Sequence, residues 1–585
     1  MSLDGIMLRA LTIELQELVG GKVEKIHQPD KFTVLFHLRA KGSGKKLLLS
    51  SHPINARIHV TEKNYENPPA PPNFCMVLRK HLENYRIKEI KQQAYERVLH
   101  INFEGLNEIG KSDEKRIIIE IMGKHSNIIL VNPLNNYIID SIKHLGNNTS
   151  SYRNLLPGIK YISPPSQEKL DIDNLTEELF IEKLLSDSIE LPVEKSLLNS
   201  ILGIGPQTAE HIIASAGIPK HTGINTLGIK DYQAMHSAIT QMRESMEKQF
   251  FNPISLVGKT ILFSCFFLAQ HPREKQIEEK SVNYLLEKVF FLKESTAQLE
   301  SMRNNYLQII NKEIEKCEKK IGFQEQVIFS AKQAEELKKW GELIIANLHN
   351  IKTGKSIVLQ DYYSEIDSEI YIPLNERLTP LENAQAYFKK YNKAKTGAKK
   401  AKQLSFELRN ELEYLSSIEM ALEIASALKD LEDIREEMEQ GNYLKRKKTT
   451  KNIQKKDKKN KTIEPDFYLY KKAKIFVGKN NRQNDYLTFK LAQGHDYWLH
   501  VKNYPGAHVI IKNEALETDL DTIAYAANLA AFFSKARLSG NVQVDYTLRK
   551  NVKKPGGARA GFVIYENEKS IFVTPDESSI NYNQL

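Results

Sequence analysis

Two long stretches with almost no turn residues limit the folds open to this chain. From Tyr284 to about Leu348, and again from about Lys400 to Glu439, apolar residues recur at spacings of three and four. This is the period of a helix with one apolar face. Forty helical residues extend roughly 60 Å, so two such helices joined by a compact segment most simply fold back as an antiparallel coiled coil. The sequence therefore predicts an arm at residues 281–440, and a helical bundle with a loop is the alternative.

The rest of the chain divides around this arm into an α+β multi-domain protein. Residues 1–175 mix short β-type runs with one or two helices, which indicates an α+β domain, and residues 176–280 read as a helical domain. Short β-type runs at about 345–385 predict a small module at the tip of the arm. A linker at 441–464 then leads to a second α+β domain at 465–585, with several strands and one helix.

The net charge of +10 is concentrated in the expected linker. Residues 445–461 hold ten bases and one acid, so this run carries +9 of the total. A basic run of this kind is typical of a tether for a polyanion, and its contribution weakens steeply with salt. A solvated linker that only separates two domains is the alternative.

Several protein classes do not fit the sequence. No stretch of about 18 uncharged apolar residues is present, and the first residues read as an amphipathic helix instead of a signal peptide. Cys75, Cys265 and Cys317 are too far apart to suggest a disulfide framework or a zinc site, which favours the cytosol. No Walker loop, nucleophile elbow, dinucleotide fingerprint or HExxH motif occurs. We therefore expect a binding protein with no catalytic residues, metal or cofactor.

The turn LGIGP at 202–206 lies between two predicted helices and is similar to a helix-hairpin-helix motif. Gly203 and Gly205 would let the backbone approach a phosphate, whose charge is met by amides at the start of the second helix. A tight helical hairpin with only a packing role is the alternative.

The last domain holds two candidate RNA-binding features. Alternation along a strand places Asp496, Trp498 and His500 on one side, where the rings would stack on a base and the acid would accept hydrogen bonds. His508 follows nearby, and a core position is the alternative for Trp498. The second feature is a basic, glycine-containing loop suited to phosphates, with Lys550, Lys553, Lys554 and Arg559.

The first domain holds two polar pairs next to β-type runs. Glu96 and Arg97 open one run, and Lys124 and His125 lie between two others. A carboxylate beside an arginine at a strand edge can read base edges, since the acid accepts from amino groups and the arginine donates in a fork. An ordinary pair of exposed charges is the alternative.

Long motifs along essentially the whole chain resemble the NFACT family, which includes bacterial ribosome quality control factors, also filed as fibronectin-binding protein A, and the eukaryotic nuclear export mediator factor. The matching stretches include LDGIMLRAL, PPAPPNFCMVLRKHL, IEIMGKHSNIILVNP, RNLLPGIKYISPP, VGKNNRQNDYLTFKLAQGHDYWLHV and VDYTLRKNVKKPGGARAGFVIY. The resemblance implies an NFACT-N domain similar in fold to the N-terminal part of formamidopyrimidine-DNA glycosylases, and a C-terminal NFACT-R RNA-binding domain. The glycosylase Pro-Glu start is missing, so DNA cleavage is not expected.

The same resemblance implies a function and partners. Family members bind large ribosomal subunits, with their 23S rRNA and proteins, that are blocked by peptidyl-tRNA. Bacterial members recruit alanyl-tRNA and direct alanine tailing of the nascent chain without messenger RNA, which marks it for degradation. Peptide bonds form in the ribosome's own centre, so the expected location is cytoplasmic and ribosome-associated. A fibronectin-binding surface adhesin is the alternative function.

The resemblance also implies roles for particular residues. The family's Asp-Arg pair for tRNA recognition falls on Glu96 and Arg97, so this chain has Glu where the family has Asp. The extra methylene moves the carboxylate by roughly an ångström, a shift that alters hydrogen-bond geometry at a base edge. Asp4, in the opening LDG, is placed like an acid that acts with this pair.

Overall fold

A computed structural model describes residues 3–107, 109–146, 152–165, 167–186, 191–256, 258, 261–352, 354–363, 368–445, 465–512 and 519–580. The chain forms two compact units, Met1–Glu294 and Ser295–Leu585. The basic run predicted to tether a polyanion falls almost entirely on 446–464, outside the described residues.

The first unit is built on a nine-stranded antiparallel sheet with the strand order β4-β3-β2-β1-β5-β6-β7-β8-β9. The strands are β1 (Lys22–His27), β2 (Thr33–Ala40), β3 (Ser43–Ser50), β4 (Arg57–Val60), β5 (Arg86–Gln92), β6 (Val98–Leu106), β7 (Ser112–Glu120), β8 (Asn127–Asn132) and β9 (Tyr137–Ser141). Helices α1 (Gly5–Leu15) and α2 (Asn73–Leu82) pack on it. Because the apolar residues of α1 recur at helical spacing, Leu8, Leu11 and Leu15 are fully buried in this core.

Four helices follow the large sheet and share its core: α3 (Glu177–Leu185), α4 (Val193–Ser200), α5 (Pro206–Ser215) and α6 (Ile229–Glu247). The sequence predicted only helices at 176–280, but three short strands also form a sheet there: β10 (Ile254–Leu256), β11 (Leu262–Ser264) and β12 (Ile277–Glu278). Strands of two or three residues are too short to show an alternating pattern.

The next helix, α7 (Val282–Gln333), is 52 residues long and begins in the first unit. The backbone N–H groups of Val282 and Asn283 donate to the Glu14 carboxylate at 2.7 and 2.9 Å. A carboxylate at a helix start satisfies amides that have no partner within the helix, so Glu14 fixes the start of α7 to α1.

In the second unit, α7 packs antiparallel to a second long helix. After α7 come α8 (Glu335–Ala346), a hairpin of β13 (Ser356–Gln360) and β14 (Glu369–Pro373), then α9 (Pro380–Ile424) and α10 (Leu428–Gln440). Arg303 on α7 bonds to the carbonyl of Ala425, whereas Glu325 pairs with Arg409 at 2.6 Å. Positions rise along α7 as they fall along α9, which makes the pair antiparallel. The apolar residues predicted for the arm, among them Ile310, form its core.

The last domain contains a six-stranded sheet with the order β15-β16-β18-β17-β19-β22. Its strands are β15 (Asp466–Tyr470), β16 (Ala473–Val477), β17 (Tyr497–Val501), β18 (Val509–Ile511), β19 (Val542–Leu548) and β22 (Lys569–Val573), with β20 (Val552–Lys553) and β21 (Ile564–Tyr565) pairing separately. α12 (Leu520–Phe532) covers one face. The other face packs on Val552 and on Leu487, which follows α11 (Asn481–Tyr486).

The described residues carry three further features relevant to function. None of their helices is both long and apolar enough to cross a bilayer. No group of three or more His, Cys, Asp or Glu side chains within them is arranged to hold a metal ion. Cys75, Cys265 and Cys317 are buried free thiols.

Candidate RNA-binding sites

Asp4 joins the start of α1 to the glycine turn before α5. One carboxylate oxygen accepts from the N–H of Met7 at 2.9 Å, and the other accepts from the N–H of Gly205 at 3.1 Å and the hydroxyl of Thr208 at 2.7 Å. Burial raises the pKa of Asp4. Both oxygens therefore have partners inside the protein, and the amide of Gly205 is bound to Asp4.

The glycine turn brings three backbone segments together. Gly203 has a φ of +82°, and a Cβ built on it would lie 2.5 Å from the carbonyl oxygen of Tyr95. A Cβ on Gly5 would lie 1.9 Å from the same oxygen. The carbonyl of Gly203 accepts from the N–H of Gly5 at 2.7 Å. Gly5 and Gly203 allow this close packing, and the phosphate contact at the hairpin stays a prediction.

The turn that carries Glu96 and Arg97 is fixed by one buried amide. The side-chain N–H groups of Gln92, which is 1% exposed, donate to the carbonyls of Gly5 and Glu96, each at 2.9 Å. The carbonyl of Arg97 accepts from the N–H of Ile121 at 2.8 Å. The position of this turn therefore depends on both α1 and β7.

A cavity of about 320 Å³ opens beside this turn, lined in part by Asp4, Glu96, Arg97, Lys169 and Gly205. Both members of the Glu96-Arg97 pair are half-buried. Burial lowers the pKa of Lys169, while the neighbouring Glu96 charge opposes this shift and the Arg97 charge adds to it. The structure thus brings Asp4, the glycine turn and the predicted pair to one place. Sequence reasoning missed Gln92 and Lys169, because neither belongs to a local motif.

Lys124 and His125 are exposed on a single helical turn, Gly123–His125, between β7 and β8. Ile121, which pairs with the backbone of Arg97, lies two residues before this turn. Both predicted polar pairs of the first domain therefore lie at connections at the same end of neighbouring strands β6 and β7.

The predicted stacking surface on β17 is buried. Trp498 and His500 share one side of the strand, with ring centroids 5.8 Å apart and an interplanar angle of 19°, as alternation predicted. However, Trp498 is 0% exposed and Asp496 is 1% exposed, so stacking of a base on Trp498 is wrong for this structure. The reason is that segments distant in sequence cover this side of the sheet.

The polar residues around Trp498 also have internal roles. The Asp496 carboxylate accepts from the N–H of Gln493 at 2.7 Å and from the ammonium of Lys512 at 2.9 Å. His508 is 2% exposed and bonds the hydroxyl of Thr488 at 2.8 Å. Burial lowers the pKa of His500 to about 4, so this ring is neutral at neutral pH. These side chains stabilise the interior of the domain.

Three cations of the basic loop lie in ion pairs. Lys554 pairs with Asp485. Arg559 pairs with Glu411 on α9, donates to the hydroxyl of Tyr443 at 3.0 Å and lies 4.5 Å from the Tyr414 ring centre. All four cations are exposed, and Lys553 forms a longer ion pair, with its ammonium 3.8 Å from the exposed Glu566.

A buried polar network joins α11 to α9 and α10, and it was not predicted. The side-chain amide of Asn481 donates to Ser417 and to Glu437, each at 2.8 Å. The Tyr414 hydroxyl donates to the same Glu437 oxygen at 2.8 Å. Glu437 is 3% exposed, and burial raises its pKa. The run NNRQND at 480–485 was the available signal, since six polar or charged residues in succession next to apolar strands need partners.

Comparison with known proteins identifies the family. A model of the NFACT N-terminal and middle domains matches residues 4–459, and one of the NFACT protein RNA binding domain matches residues 467–566. The chain belongs to the NFACT family. The resemblance seen in the sequence is confirmed, and the expected RNA-binding domain at the C-terminal end of the chain is confirmed at the level of the family.

Named NFACT relatives extend over the full chain. The chain is 38% identical over 585 residues to the Rqc2 homolog RqcH of Bacillus subtilis (strain 168), covering 99% of each protein. It is 37% identical over 584 residues to the Rqc2 homolog RqcH of Streptococcus suis (strain 05ZYH33), again covering 99% of each. Among solved structures, it is similar to the N-terminal part of the fibronectin/fibrinogen-binding protein from Streptococcus suis, with 32% identity and a TM-score of 0.42, covering 50% of this chain and 100% of that one.

Proposed function

We propose that this NFACT protein acts in ribosome quality control. It binds large ribosomal subunits that carry peptidyl-tRNA, recruits alanyl-tRNA and directs alanine tailing of the nascent chain, which marks the chain for degradation. The observation that carries this proposal is the 38% identity to an Rqc2 homolog RqcH over 99% of both chains. The action on peptidyl-tRNA places the protein in the cytoplasm, on the ribosome.

The tRNA contact is proposed at the Glu96–Arg97 turn. The two side chains are half-buried beside an open cavity, and Gln92 holds their backbone. The planar guanidinium of Arg97 donates in a fork to a base edge or a phosphate, and the Glu96 carboxylate accepts from an amino group. The exposed Lys124 and His125 supply further contacts to the RNA backbone. Asp4 acts by positioning the glycine turn, since both its oxygens are engaged.

The ribosomal RNA contact of the last domain is proposed at its basic loop. Lys550 and Lys553 bind phosphates directly from the surface. Lys554 and Arg559 join them by exchanging Asp485 and Glu411 for phosphate oxygens. Such an exchange costs little, because ion pairs at partly exposed positions contribute little net free energy. The protein itself forms no bond: the ribosomal peptidyl transferase centre joins the alanines.

Substitution of Arg97 tests the proposal. The assay combines three components: the purified full-length protein, alanyl-tRNA, and large subunits that carry peptidyl-tRNA. Gel electrophoresis and mass spectrometry follow the length of the nascent chain. Arg97→Ala is expected to abolish tailing while co-sedimentation with subunits largely persists. The matched control is Arg39→Ala, because the Arg39 side chain is 68% exposed on another strand of the sheet. This variant should tail normally. Normal tailing by Arg97→Ala removes Arg97 from the mechanism.

The glutamate at position 96 is tested in the same assay. Glu96→Asp shortens the side chain to the length found in the family and should retain tailing. Glu96→Gln keeps the length but replaces an acceptor oxygen with a donor, so it should slow tailing at least tenfold if the carboxylate accepts from a base. Equal tailing rates for the wild type, Glu96→Asp and Glu96→Gln would show that the Glu96 carboxylate does not contact the tRNA.

A further inference from the structure

The first unit contains another cavity, which lies between α2, the connection from β1 to β2 and the end of β9. Its volume is about 570 Å³, a size typical of sites for small molecules. Among the described residues, it shares no lining side chain with the cavity beside the Glu96–Arg97 turn. α2 contacts both β1 and β9, so secondary structure holds the walls in place. These walls are mainly apolar, through Pro29, Pro68, Pro72, Phe74 and Ile142.

One polar side chain in this apolar wall carries an unpaired acceptor. Gln28, which follows β1, lines the cavity and is 5% exposed. Its side-chain oxygen Oε1 is buried and has no hydrogen-bond partner in the part of the chain that the structure describes. Such an oxygen costs free energy in the folded protein, because it loses water without gaining a donor. An apolar residue of the same size would avoid this cost, and so would a donor brought by a ligand.

The start of α2 offers donors to the same cavity. The helix follows Pro72, which has no side-chain group that caps it. Asn73 and Phe74 line the cavity, and their backbone N–H groups have no hydrogen-bond partner among the described residues. Free amides at a helix start lie at the positive end of the helix dipole. They therefore favour an oxygen that carries partial negative charge.

Asp140 on β9 supplies a second acceptor. It lines the cavity and is 8% exposed. Its Oδ1 accepts from the N–H of Ser141 at 2.8 Å, and the ring nitrogen Nε2 of His144 lies 2.7 Å from the same oxygen. The other oxygen, Oδ2, has no hydrogen-bond partner within the described part of the chain. One oxygen thus fixes the carboxylate, and the other remains open to a donor.

We propose that this cavity binds a guanine base. Guanine presents two neighbouring donors, N1–H and the N2 amino group, beside the acceptor O6, and both faces of its ring are flat and apolar. Gln28 and Asp140 accept from the two donors, the amides at the start of α2 donate to O6, and the apolar walls cover the ring.

The other common bases do not match this pattern. Adenine has no carbonyl oxygen, and uracil has no amino group. In cytosine, the ring atom between the amino group and the carbonyl is an acceptor, which would face the carboxylate of Asp140. A peptide group has a single N–H and would leave one of the two protein acceptors unpaired.

Two sources present a guanine base: a free nucleotide, and an unpaired guanosine in RNA. Calorimetric titration of the full-length protein with GMP, AMP, CMP and UMP tests the base itself. GMP should bind at least about tenfold more tightly than the other three, since a mismatched edge loses hydrogen bonds. Titration with the single-stranded RNAs AAGAA and AAAAA distinguishes the sources. Tighter binding of AAGAA than of GMP, with weak binding of AAAAA, assigns the site to RNA, whereas tighter binding of GMP assigns it to the free nucleotide.

Substitutions locate the binding in this cavity. Gln28→Leu removes the unpaired acceptor and nearly keeps the size, so it should weaken GMP binding about tenfold. The Tm of the free variant should not fall, because Oε1 gives up no hydrogen bond within the described protein. Ile142→Phe narrows the cavity without removing a polar group and should also weaken binding. The matched control is Gln241→Leu, the same change at an exposed position of α6, which should bind as the wild type does.

Three results would overturn the guanine site. The first is equal affinity for GMP and AMP, or no binding of GMP or AAGAA by the wild type. The second is unchanged GMP affinity in both Gln28→Leu and Ile142→Phe, which would assign the binding to another surface. The third is a lower Tm of Gln28→Leu with unchanged GMP affinity, which would assign Gln28 to the fold alone. None of these results affects the proposed role in alanine tailing, because no ribosome takes part in the titrations.

Discussion

Replacing Asp4 tests whether this residue acts through the fold or through a bound RNA. Its carboxylate caps α1 through the N–H of Met7 and accepts from Gly205 and Thr208. Asp4→Ala removes all three hydrogen bonds at once. A helix cap contributes about 1 kcal/mol to stability, and each of the other two bonds contributes about 1 kcal/mol net. The expected loss for the first unit is therefore about 3 kcal/mol.

Thermal unfolding measures this loss. For a folding unit of this size, 1 kcal/mol corresponds to a shift of about 2 °C, so Asp4→Ala should lower the Tm of the first transition by about 6 °C. Thr208→Val removes one of the three bonds and should lower it by about 2 °C. In the double variant the two losses should not add, because the bond between the two side chains is lost only once.

The tailing assay then separates the two roles. If Asp4 positions the glycine turn, tailing and stability should fall together, and Thr208→Val should show a smaller loss of both. An unchanged Tm together with a complete loss of tailing in Asp4→Ala would refute this reasoning. It would assign the carboxylate to direct contact with RNA.

Three further predictions concern stability and are checked by thermal unfolding. Trp498→Ala should cost about 3–5 kcal/mol, because it empties a fully buried position, whereas a base-stacking residue on the surface would cost almost nothing. Gly203→Ala should cost more than about 1 kcal/mol, since its φ of +82° and the 2.5 Å approach to Tyr95 leave no room for a methyl group. Burial raises the pKa of Glu437, so its contribution to stability is fully present below the ordinary pKa and is lost as pH rises through the folded pKa. Glu437→Gln keeps an oxygen for both donors, so its Tm relative to wild type should increase as pH rises from 4 to 8; a constant difference would contradict the raised pKa.

The helical arm was predictable because its signal is local. The apolar period marked both helices, and the residues it selected, such as Ile310 and Leu415, are buried between them. The start of α9 was placed at about Lys400, but the helix begins at Pro380. A capping box at Thr379 and Glu382, with proline between them, was present in the sequence as the start signal. It was missed because the lysine-rich first half of the helix has weak apolar periodicity.

The side of a strand was predictable, but what covers that side was not. Alternation correctly placed Trp498 and His500 together. Whether such a side faces solvent depends on residues such as Leu487 and Val552, which reach it only in the folded domain. The same limit applies to Asp4, whose partner Gly205 is 201 residues away. Periodicity and spacing carry no information on contacts at that distance.

The contact between Asp4 and Gly205 also determines when the first unit can finish folding during synthesis. A ribosome adds about 5–20 residues per second, so about 10–40 s separate the synthesis of the first partner from that of the second. During that interval the opening helix has no hairpin to pack against, and Tyr95, next to the Glu96–Arg97 turn, lacks its close approach to Gly203. A partly synthesised chain therefore lacks the complete cavity. It can bind RNA there only after the hairpin has left the ribosome and packed against α1.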